Sequence, residues 1–240
     1  MTNPCRRHFQ RVTAAIEAAA VAGPAMTMEG ATSYELHLSK LHQDYLRLKQ
    51  VQSNEGKAEL KRLLLPEYEP YVEGVLAEGK GAQDQVLTTL MVWRIDAGDF
   101  KGALDIAAYV IEHQLIMPDR FERTTGTIVA EEIAEAALNA QKAGGSFDLE
   151  LLLRTEQITT KEDMPDQARA KLHLAIGKAF SALVTDDTPA AEALEPLEKA
   201  RGNLARAIEL HSNCGGKKDL ERVDRLLKKH TAPAPSTASS

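Results

Sequence analysis

A helical hairpin is encoded in residues 82–115, AQDQVLTTLMVWRIDAGDFKGALDIAAYVIEHQL. The second half of this stretch places five apolar residues on one face at helical spacing: Ala103, Leu104, Ala107, Ala108 and Ile111. Between the halves, Gly98 suits the left-handed residue that ends a helix, and Asp99 suits the N-cap of the next helix. We therefore predict helices over about 82–97 and 99–115, joined by a tight turn.

Helical patterns extend over almost the whole chain. Near the start, Phe9, Val12, Ile16 and Ala20 form an apolar stripe, and Gly23-Pro24 ends that helix. Further helices are predicted at about 32–52, 70–79, 127–143, 165–183, 189–212 and 217–230. The predicted fold class is all-α: helical hairpins, with a long N-terminal coiled-coil-like helix and a tetratricopeptide-like C-terminal part. Because no clean 34-residue repeat is present, the last feature is an architectural hint.

The second helix carries a heptad seam. Its members, spaced 4, 3, 4 and 3 residues apart, are Tyr34, Leu38, Leu41, Tyr45 and Leu48. Two heptads are fewer than a firm coiled-coil assignment requires. The seam therefore leaves two interpretations open, self-association of the chain and packing of the helix on its own domain.

Composition limits the class of protein. The 240 residues are 43% apolar and 27% charged, which is enough to bury a core and excludes a wholly disordered chain. Only two cysteines are present, Cys5 and Cys214, so a disulfide scaffold is excluded and a reducing, intracellular setting is predicted. No run of apolar residues is long enough for a membrane span, and a secretory signal is not expected. The uncharged tail, residues 231–240, is expected to be disordered.

Charge is distributed unevenly along the chain. Residues 1–65 hold nine basic and six acidic side chains, and residues 201–230 hold eight basic and four acidic ones. The stretch between them, 66–200, holds 12 basic and 25 acidic side chains. Ordinary solvated helix faces would explain this distribution, and so would two basic surfaces that contact a polyanion.

Known catalytic motifs are absent from the sequence. Gly79-Lys80-Gly81 and Gly215-Gly216-Lys217 lack the spacing of a P-loop, and neither a zinc-protease nor a serine-hydrolase motif occurs. Three acidic pairs, Asp96/Asp99, Glu131/Glu132 and Asp186/Asp187, are candidates for a two-metal nuclease, but each has a structural explanation as a helix cap, a first-turn residue or a loop residue. We predict no catalytic residue, metal or cofactor. The residues alone do not decide whether the chain is a DNA-binding subunit or a protein adaptor.

Residues 79–99, GKGAQDQVLTTLMVWRIDAGD, resemble the small subunit of phage terminases, in the cos-packaging family of temperate tailed phages. The resemblance continues at Arg7-His8 and Arg11-Val12, and then at 61–66 (KRLLLP), 71–76 (YVEGVL), 102–109 (GALDIAAY), 131–134 (EEIA) and 164–173 (MPDQARAKLH). It covers about residues 6–229, which is nearly the whole chain.

The resemblance implies a non-catalytic subunit of a viral DNA-packaging terminase. Such subunits bind the packaging (cos) site on concatemeric double-stranded phage DNA and assemble as homo-oligomeric rings. They recruit and regulate the terminase large subunit, which holds the ATPase and the nuclease, in the host cytoplasm during phage assembly. Some members end in a basic tail, whereas residues 231–240 carry no charge, so DNA contact through the extreme C-terminus is not expected.

Roles are assigned to residues on this basis. Residues 1–65 are predicted to serve DNA binding or oligomerisation, 66–160 to form a central helical core and 161–230 to form hairpins that dock the large subunit. The predicted DNA-binding residues are Arg6, Arg7, Arg11, Lys40, Arg47, Lys49, Lys57, Lys61 and Arg62. The seam residues Tyr34, Leu38, Leu41, Tyr45 and Leu48 are assigned to oligomerisation. A secondary basic surface comprises Lys217, Lys218, Arg222, Arg225, Lys228 and Lys229. A helical-repeat adaptor that binds only protein is the alternative, and a metal nuclease is a third class.

Overall fold

The computed structural model describes residues 3–20, 32–185 and 187–231. Within these residues the chain forms eleven α-helices and one short 3-10 helix, and it contains no β-strand. The predicted all-α class is therefore confirmed, while the tetratricopeptide-like detail stays a prediction. The chain divides into two compact units, Met1–Val129 and Ala130–Ser240. The expected end of the first helix at Gly23-Pro24 and the expected disorder of the tail from 232 onwards lie outside the described residues.

The first unit contains helices α1 to α6 and the start of α7. Their bounds are α1 Pro4–Ala20, α2 Thr32–Gln50, α3 Asn54–Leu64, α4 Glu69–Glu78, α5 Gln85–Ala97 and α6 Phe100–Glu112, with the 3-10 helix at Leu65–Glu67. Helix α3 was not predicted, because its sequence, NEGKAELKRLL, has a glycine in the first turn and few apolar residues. Its start is fixed by Ser53, whose hydroxyl accepts a hydrogen bond from the backbone N–H of Gly56.

The second unit contains most of α7 and the helices that follow it. Their bounds are α7 Thr125–Lys142, α8 Leu149–Thr159, α9 Asp166–Ala182, α10 Ala190–Leu210 and α11 Lys217–Thr231. Helix α8 is the second helix that was not predicted; Asp148 caps it by accepting a hydrogen bond from the N–H of Glu150. Helices α9 and α10 form a closely packed pair, because Gly177 lets Leu204 approach the α9 backbone, and α11 packs on α10.

The central hairpin forms as the sequence predicts. Gly98 ends α5 in the left-handed conformation with φ +82°, and its N–H donates to the carbonyl of Ile95 at 2.9 Å. Asp99 then caps α6 by accepting a hydrogen bond from the N–H of Gly102 at 3.0 Å. The turn between α5 and α6 is therefore fixed by local chemistry.

Helix α1 packs in a way that the predicted apolar stripe does not explain. Phe9 and Ile16, two members of that stripe, are 67% and 64% exposed, whereas the small residue Ala14 is fully buried. The buried face approaches α4 at Gly74, where a Cβ atom would lie 2.6 Å from the carbonyl oxygen of Arg11. The stripe correctly predicted a helix but does not mark the buried face, because a close contact between helix backbones selects small side chains rather than large apolar ones.

The heptad seam of α2 faces its own unit in part. Leu41 and Leu48 are buried there, Tyr34 and Leu38 are half-buried, and Tyr45 is exposed. Two of the five seam residues therefore already contribute to the core of the first unit. The other interpretation, self-association through this seam, stays a prediction.

A buried carboxylate links three helices of this unit. Asp84 caps α5 by accepting a hydrogen bond from the N–H of Leu87 at 2.9 Å, and the hydroxyl of Tyr71 on α4 donates to the same carboxylate at 2.6 Å. The Tyr71 ring stacks on His37 of α2, with 4.4 Å between ring centroids. Burial raises the pKa of Asp84 to about 6, although hydrogen bonds from Tyr71 and two backbone N–H groups oppose this shift.

We expect Asp84→Asn to remove one pH-dependent component of stability. Because the pKa of Asp84 is raised in the folded state, the folded protein keeps a proton near pH 5 that the unfolded chain has released. The corresponding stability is present below pH 4 and is lost as the pH rises through about 6, and it amounts to about 3 kcal/mol. Melting temperatures between pH 4 and 7.5 should therefore depend less on pH in Asp84→Asn than in the unmodified chain.

The control for this measurement is Asp148→Asn, which alters another N-cap aspartate, one that is exposed. It should leave the pH dependence unchanged. A full pH dependence in Asp84→Asn would show that the Asp84 carboxylate is not the group responsible.

We expect Gly74→Ala to displace α1 from α4. The added methyl group would meet the backbone of Arg11 and the Cβ of Ala14, which lie at 2.6 Å and 2.9 Å and cannot move independently of the helix. The free energy of unfolding should fall by roughly 1–3 kcal/mol, as for other overpacked sites. Hydrogen exchange should accelerate in the amides of α1.

Gly202→Ala serves as the control, because no atom lies within 4 Å of the position that its Cβ would take on the helix surface. It should be neutral or stabilising, since alanine favours helix more than glycine does. Equal stability of the two variants would argue against close packing of α1 on α4.

Candidate nucleic-acid interface

Cations on α1 divide into paired and unpaired side chains. Arg7 forms an ion pair with Glu73 of α4 at 2.9 Å, which helps to hold α1 against that helix. Arg6 and Arg11 are exposed and form no ion pair with the residues that the structure describes. Of the three arginines predicted to contact DNA on this helix, two therefore have guanidinium groups available to a phosphate.

Two cations of α2 belong to a network around Asp44. Lys40 and Arg47 contact its carboxylate at 2.6 Å and 2.9 Å, and the hydroxyl of Tyr68 donates to it at 2.8 Å. Lys40 also lies 3.1 Å from Glu67. Burial alone would raise the pKa of Asp44, but the hydrogen bonds from Lys40 and Tyr68 outweigh it and hold this pKa below its usual range. The carboxylate therefore remains ionised and holds both cations.

The remaining predicted DNA-binding residues also differ in their partners. Lys61 pairs with Asp96, and Arg62 donates from its Nε to the carbonyl of Ala97 at 2.8 Å, so both side chains join α3 to the end of α5. Lys49 lies over the Tyr45 ring, 4.8 Å from its centroid. Neither Lys49 nor Lys57 has a carboxylate partner among the described residues.

The first unit therefore presents four of the nine predicted cations without a carboxylate partner within the described ranges: Arg6, Arg11, Lys49 and Lys57. The other five stabilise the fold. Arg62 also lies 3.9 Å from Glu59. This division could not be read from the sequence, because each acidic partner except Asp44 and Glu59 lies in a different helix or turn from its cation.

Helix α11 in the second unit separates its charges more completely. Its inward carboxylates, Asp219 and Asp224, pair with Lys178 of α9 at 3.0 Å and with Arg201 of α10 at 2.8 Å. All six cations of the predicted secondary surface are exposed. Five of them form no ion pair with any residue in the described part of the chain: Lys217, Lys218, Arg222, Arg225 and Lys228. This single helix therefore carries the densest group of unpaired positive charge among the described residues.

Arg120 is a cation that the sequence analysis missed. It lies in the loop between α6 and α7, outside both basic ends of the chain, and its guanidinium is 5.9 Å from the Tyr45 ring and 4.9 Å from the Phe121 ring. It also donates a hydrogen bond to Thr89. No sequence signal connects residue 120 with α2, since only the tertiary structure brings them together.

The acidic pairs that were considered for metal binding have other partners. Asp96 pairs with Lys61, Asp99 caps α6 and pairs with Arg94, and Glu131 pairs with Lys171 at 2.8 Å. Asp186, the first member of the third pair, lies outside the described residues. Over the described ranges, no group of three histidine, cysteine or carboxylate side chains is arranged to hold a metal ion. None of the described helices has the length and apolar content that a membrane crossing needs.

Comparisons with known proteins identify the family. Residues 38–167 match the family model for the phage small terminase subunit. The chain is 44% identical to the "Terminase, endonuclease subunit" of Escherichia phage P2 over 239 residues, which is 100% of this chain and 91% of the relative. It is 25% identical over 231 residues to the "Probable terminase, endonuclease subunit" of Haemophilus phage HP1, which covers 90% of this chain and 80% of that protein.

No solved structure matches the chain. The family match spans more than half of the sequence, and the similarity to the phage P2 protein spans all of it. The predicted resemblance is thereby confirmed: the chain belongs to the phage small terminase subunit family and is a component of phage DNA packaging.

Proposed function

We propose that this chain is the DNA-recognition subunit of a phage terminase. It binds the cos packaging site on concatemeric phage DNA and recruits and regulates the large subunit, which supplies the ATPase and the nuclease. The observation that carries the proposal is the charge separation on α11, where two carboxylates are paired inward and five cations remain exposed without partners among the described residues. Exposed cations whose charge is not taken up by ion pairs are suited to neutralising phosphates.

Both units contribute cations to this function. In the first unit they are Arg6 and Arg11 on α1, with Lys49 and Lys57 further along the chain. A single copy has few such groups, so assembly of several copies, which the resemblance implies as a ring, would multiply the phosphate contacts and the effective affinity. Phosphate contacts position a duplex without reading its sequence, so recognition of the cos site needs base-edge contacts or sequence-dependent bending in addition.

The large subunit is assigned to a different surface. Residues 66–200 hold 25 acidic against 12 basic side chains, and a surface of that charge repels DNA. We assign docking of the large subunit to exposed acidic faces of this stretch, including the hairpin helices up to residue 200. The two partners would then bind without competing for the same side chains.

DNA binding should depend on salt through the unpaired cations. We expect the triple variant Arg222→Gln/Arg225→Gln/Lys228→Gln to make the slope of log K against log salt shallower, by about 0.9 for each phosphate that the variant no longer neutralises. Fluorescence anisotropy with a cos duplex over a salt series measures this slope. The double variant Arg6→Gln/Arg11→Gln should also make this slope shallower, but by less, because it removes two cations and not three.

The control for both variants is Lys199→Gln/Arg206→Gln on α10, since these cations pair with Glu195 and Glu209 and are not assigned to DNA. The control should keep the slope of the unmodified chain. If the unmodified chain shows no salt dependence, the protein adaptor alternative would replace DNA recognition.

The word endonuclease in the names of the phage P2 and phage HP1 proteins favours a second candidate function, DNA cleavage by the chain itself. We expect the purified chain with magnesium to leave a cos duplex intact, and cleavage to begin when the large subunit is added. Cleavage by the chain alone that a chelator abolishes would assign the nuclease to this subunit.

A further inference from the structure

A groove of about 690 Å³ lies in the first unit between α2 and α5, next to Arg120. Its α2 wall includes Tyr45 and Leu46, which are 39% and 47% exposed although both are large and largely apolar. Trp93 of α5 lies on the opposite wall. An exposed apolar face in a groove with charged ends is typical of a surface that binds another protein segment.

Two oppositely charged residues of this face lie symmetrically about its centre. His42 lies at its centre, Glu35 lies seven residues before it and Lys49 lies seven residues after it. Seven residues are about two helical turns, so all three side chains follow one line along α2, with the end charges about 10 Å from the centre. None of the three has an ion pair with another described residue.

The apolar and polar residues between them follow the same symmetry. Leu38 and Leu46 lie four residues on either side of the centre, and Ser39 and Tyr45 lie three residues on either side. The spacing of these residues along α2 is therefore the same in both directions from residue 42. Its charged ends are opposite in sign, which is the pattern required for self-complementarity in an antiparallel pair.

We propose that this groove binds α2 of a second copy of the same chain, antiparallel and related by a two-fold axis at His42. In this arrangement Glu35 of each copy lies opposite Lys49 of the other. Leu38 and Leu46 lie opposite each other, and Ser39 lies opposite Tyr45. Each contact occurs twice, as in any isologous interface.

Charge selects the antiparallel arrangement over the parallel one. A parallel pair would place Glu35 opposite Glu35 and Lys49 opposite Lys49, and like charges in contact oppose association. Arg120 adds to the preference, because it lies 5.9 Å from the same Tyr45 ring that Lys49 covers at 4.8 Å. The incoming glutamate would thus meet two cations that have no carboxylate partner in the described part of their own chain.

This pairing shares only Lys49 with the cations proposed for DNA, and it does not use the buried part of the seam. It uses the outer face of α2, while Leu41 and Leu48 stay in the core of the unit. A two-fold contact joins copies in pairs, whereas a ring is closed by a head-to-tail contact, so the two kinds of contact use different surfaces. Because the proposed function is tested with variants on α11 and α1, its failure can be distinguished from failure of this pairing.

Disulfide cross-linking tests the two-fold axis. In the full chain with Cys5→Ser and Cys214→Ser, His42→Cys should form a covalent dimer on oxidation, because residue 42 is the only α2 position that meets its own counterpart. Gln43→Cys, exposed one residue further along, is the control and should not cross-link. Ser39→Cys mixed with Tyr45→Cys should cross-link to each other more than either does to itself.

Charge reversal tests the ends of the face. Glu35→Lys and Lys49→Glu should each weaken dimerisation about tenfold or more in sedimentation equilibrium, and the double variant should restore it, because each copy then supplies the reversed partner. All of these positions are exposed, so circular dichroism should show an intact fold. A double variant as weak as the single ones, or cross-linking at residue 43 instead of 42, would overturn the proposal.

Discussion

The buried carboxylate of Asp84 is the constraint on which the first unit depends. A fully buried charge is costly unless it receives hydrogen bonds, and here the donors are the Tyr71 hydroxyl and the N–H of Leu87. Because Tyr71 belongs to α4 and stacks on His37 of α2, the need to satisfy one carboxylate fixes the positions of three helices. The face of α2 that carries His37 is also the face that carries Leu41 and Leu48. Leu41 and Leu48 consequently turn into the core, and the face centred on His42 turns outward.

Ion pairing within the chain determines which cations remain available to bind a polyanion such as DNA. A lysine or arginine that already holds a carboxylate in its own unit gives up that partner if it moves to a phosphate, so the lost ion pair offsets part of the gain from the phosphate. Asp44 holds Lys40 and Arg47 in this way, and Glu73 holds Arg7. On α11 the same principle has the opposite result, since Lys178 and Arg201 come from neighbouring helices and occupy two of the three acidic side chains of α11. The cations of α11 are left available as a consequence.

Membership of the small terminase subunit family gives these surfaces a common context. The partners proposed for this chain are DNA, a large subunit and further copies of the chain, and each of these proposed partners requires a different chemistry. Unpaired cations suit DNA, acidic faces suit a partner that must not compete with DNA, and a self-complementary helix face suits another copy. In the first unit, the α1 cations and the α2 face lie on different helices, so binding of DNA through α1 does not require the side chains proposed for pairing.

The sequence by itself determined the features that arise from local chemistry. The turn at Gly98 and Asp99, the helices on either side of it, the all-α class and the family all follow from residues close together in the chain, because caps and helical periodicity act within a few positions. The sequence also located the two basic ends. It missed α3 and α8, which have only 11 residues each and so show about three turns of helical periodicity. It also did not identify the buried face of α1, because the contact that decides this face is made by Gly74 of another helix. Which cations are free, which part of the α2 seam is buried and why Arg120 lies over Tyr45 were decided only by the tertiary structure, since each depends on partners that are brought together by folding and not by proximity in sequence.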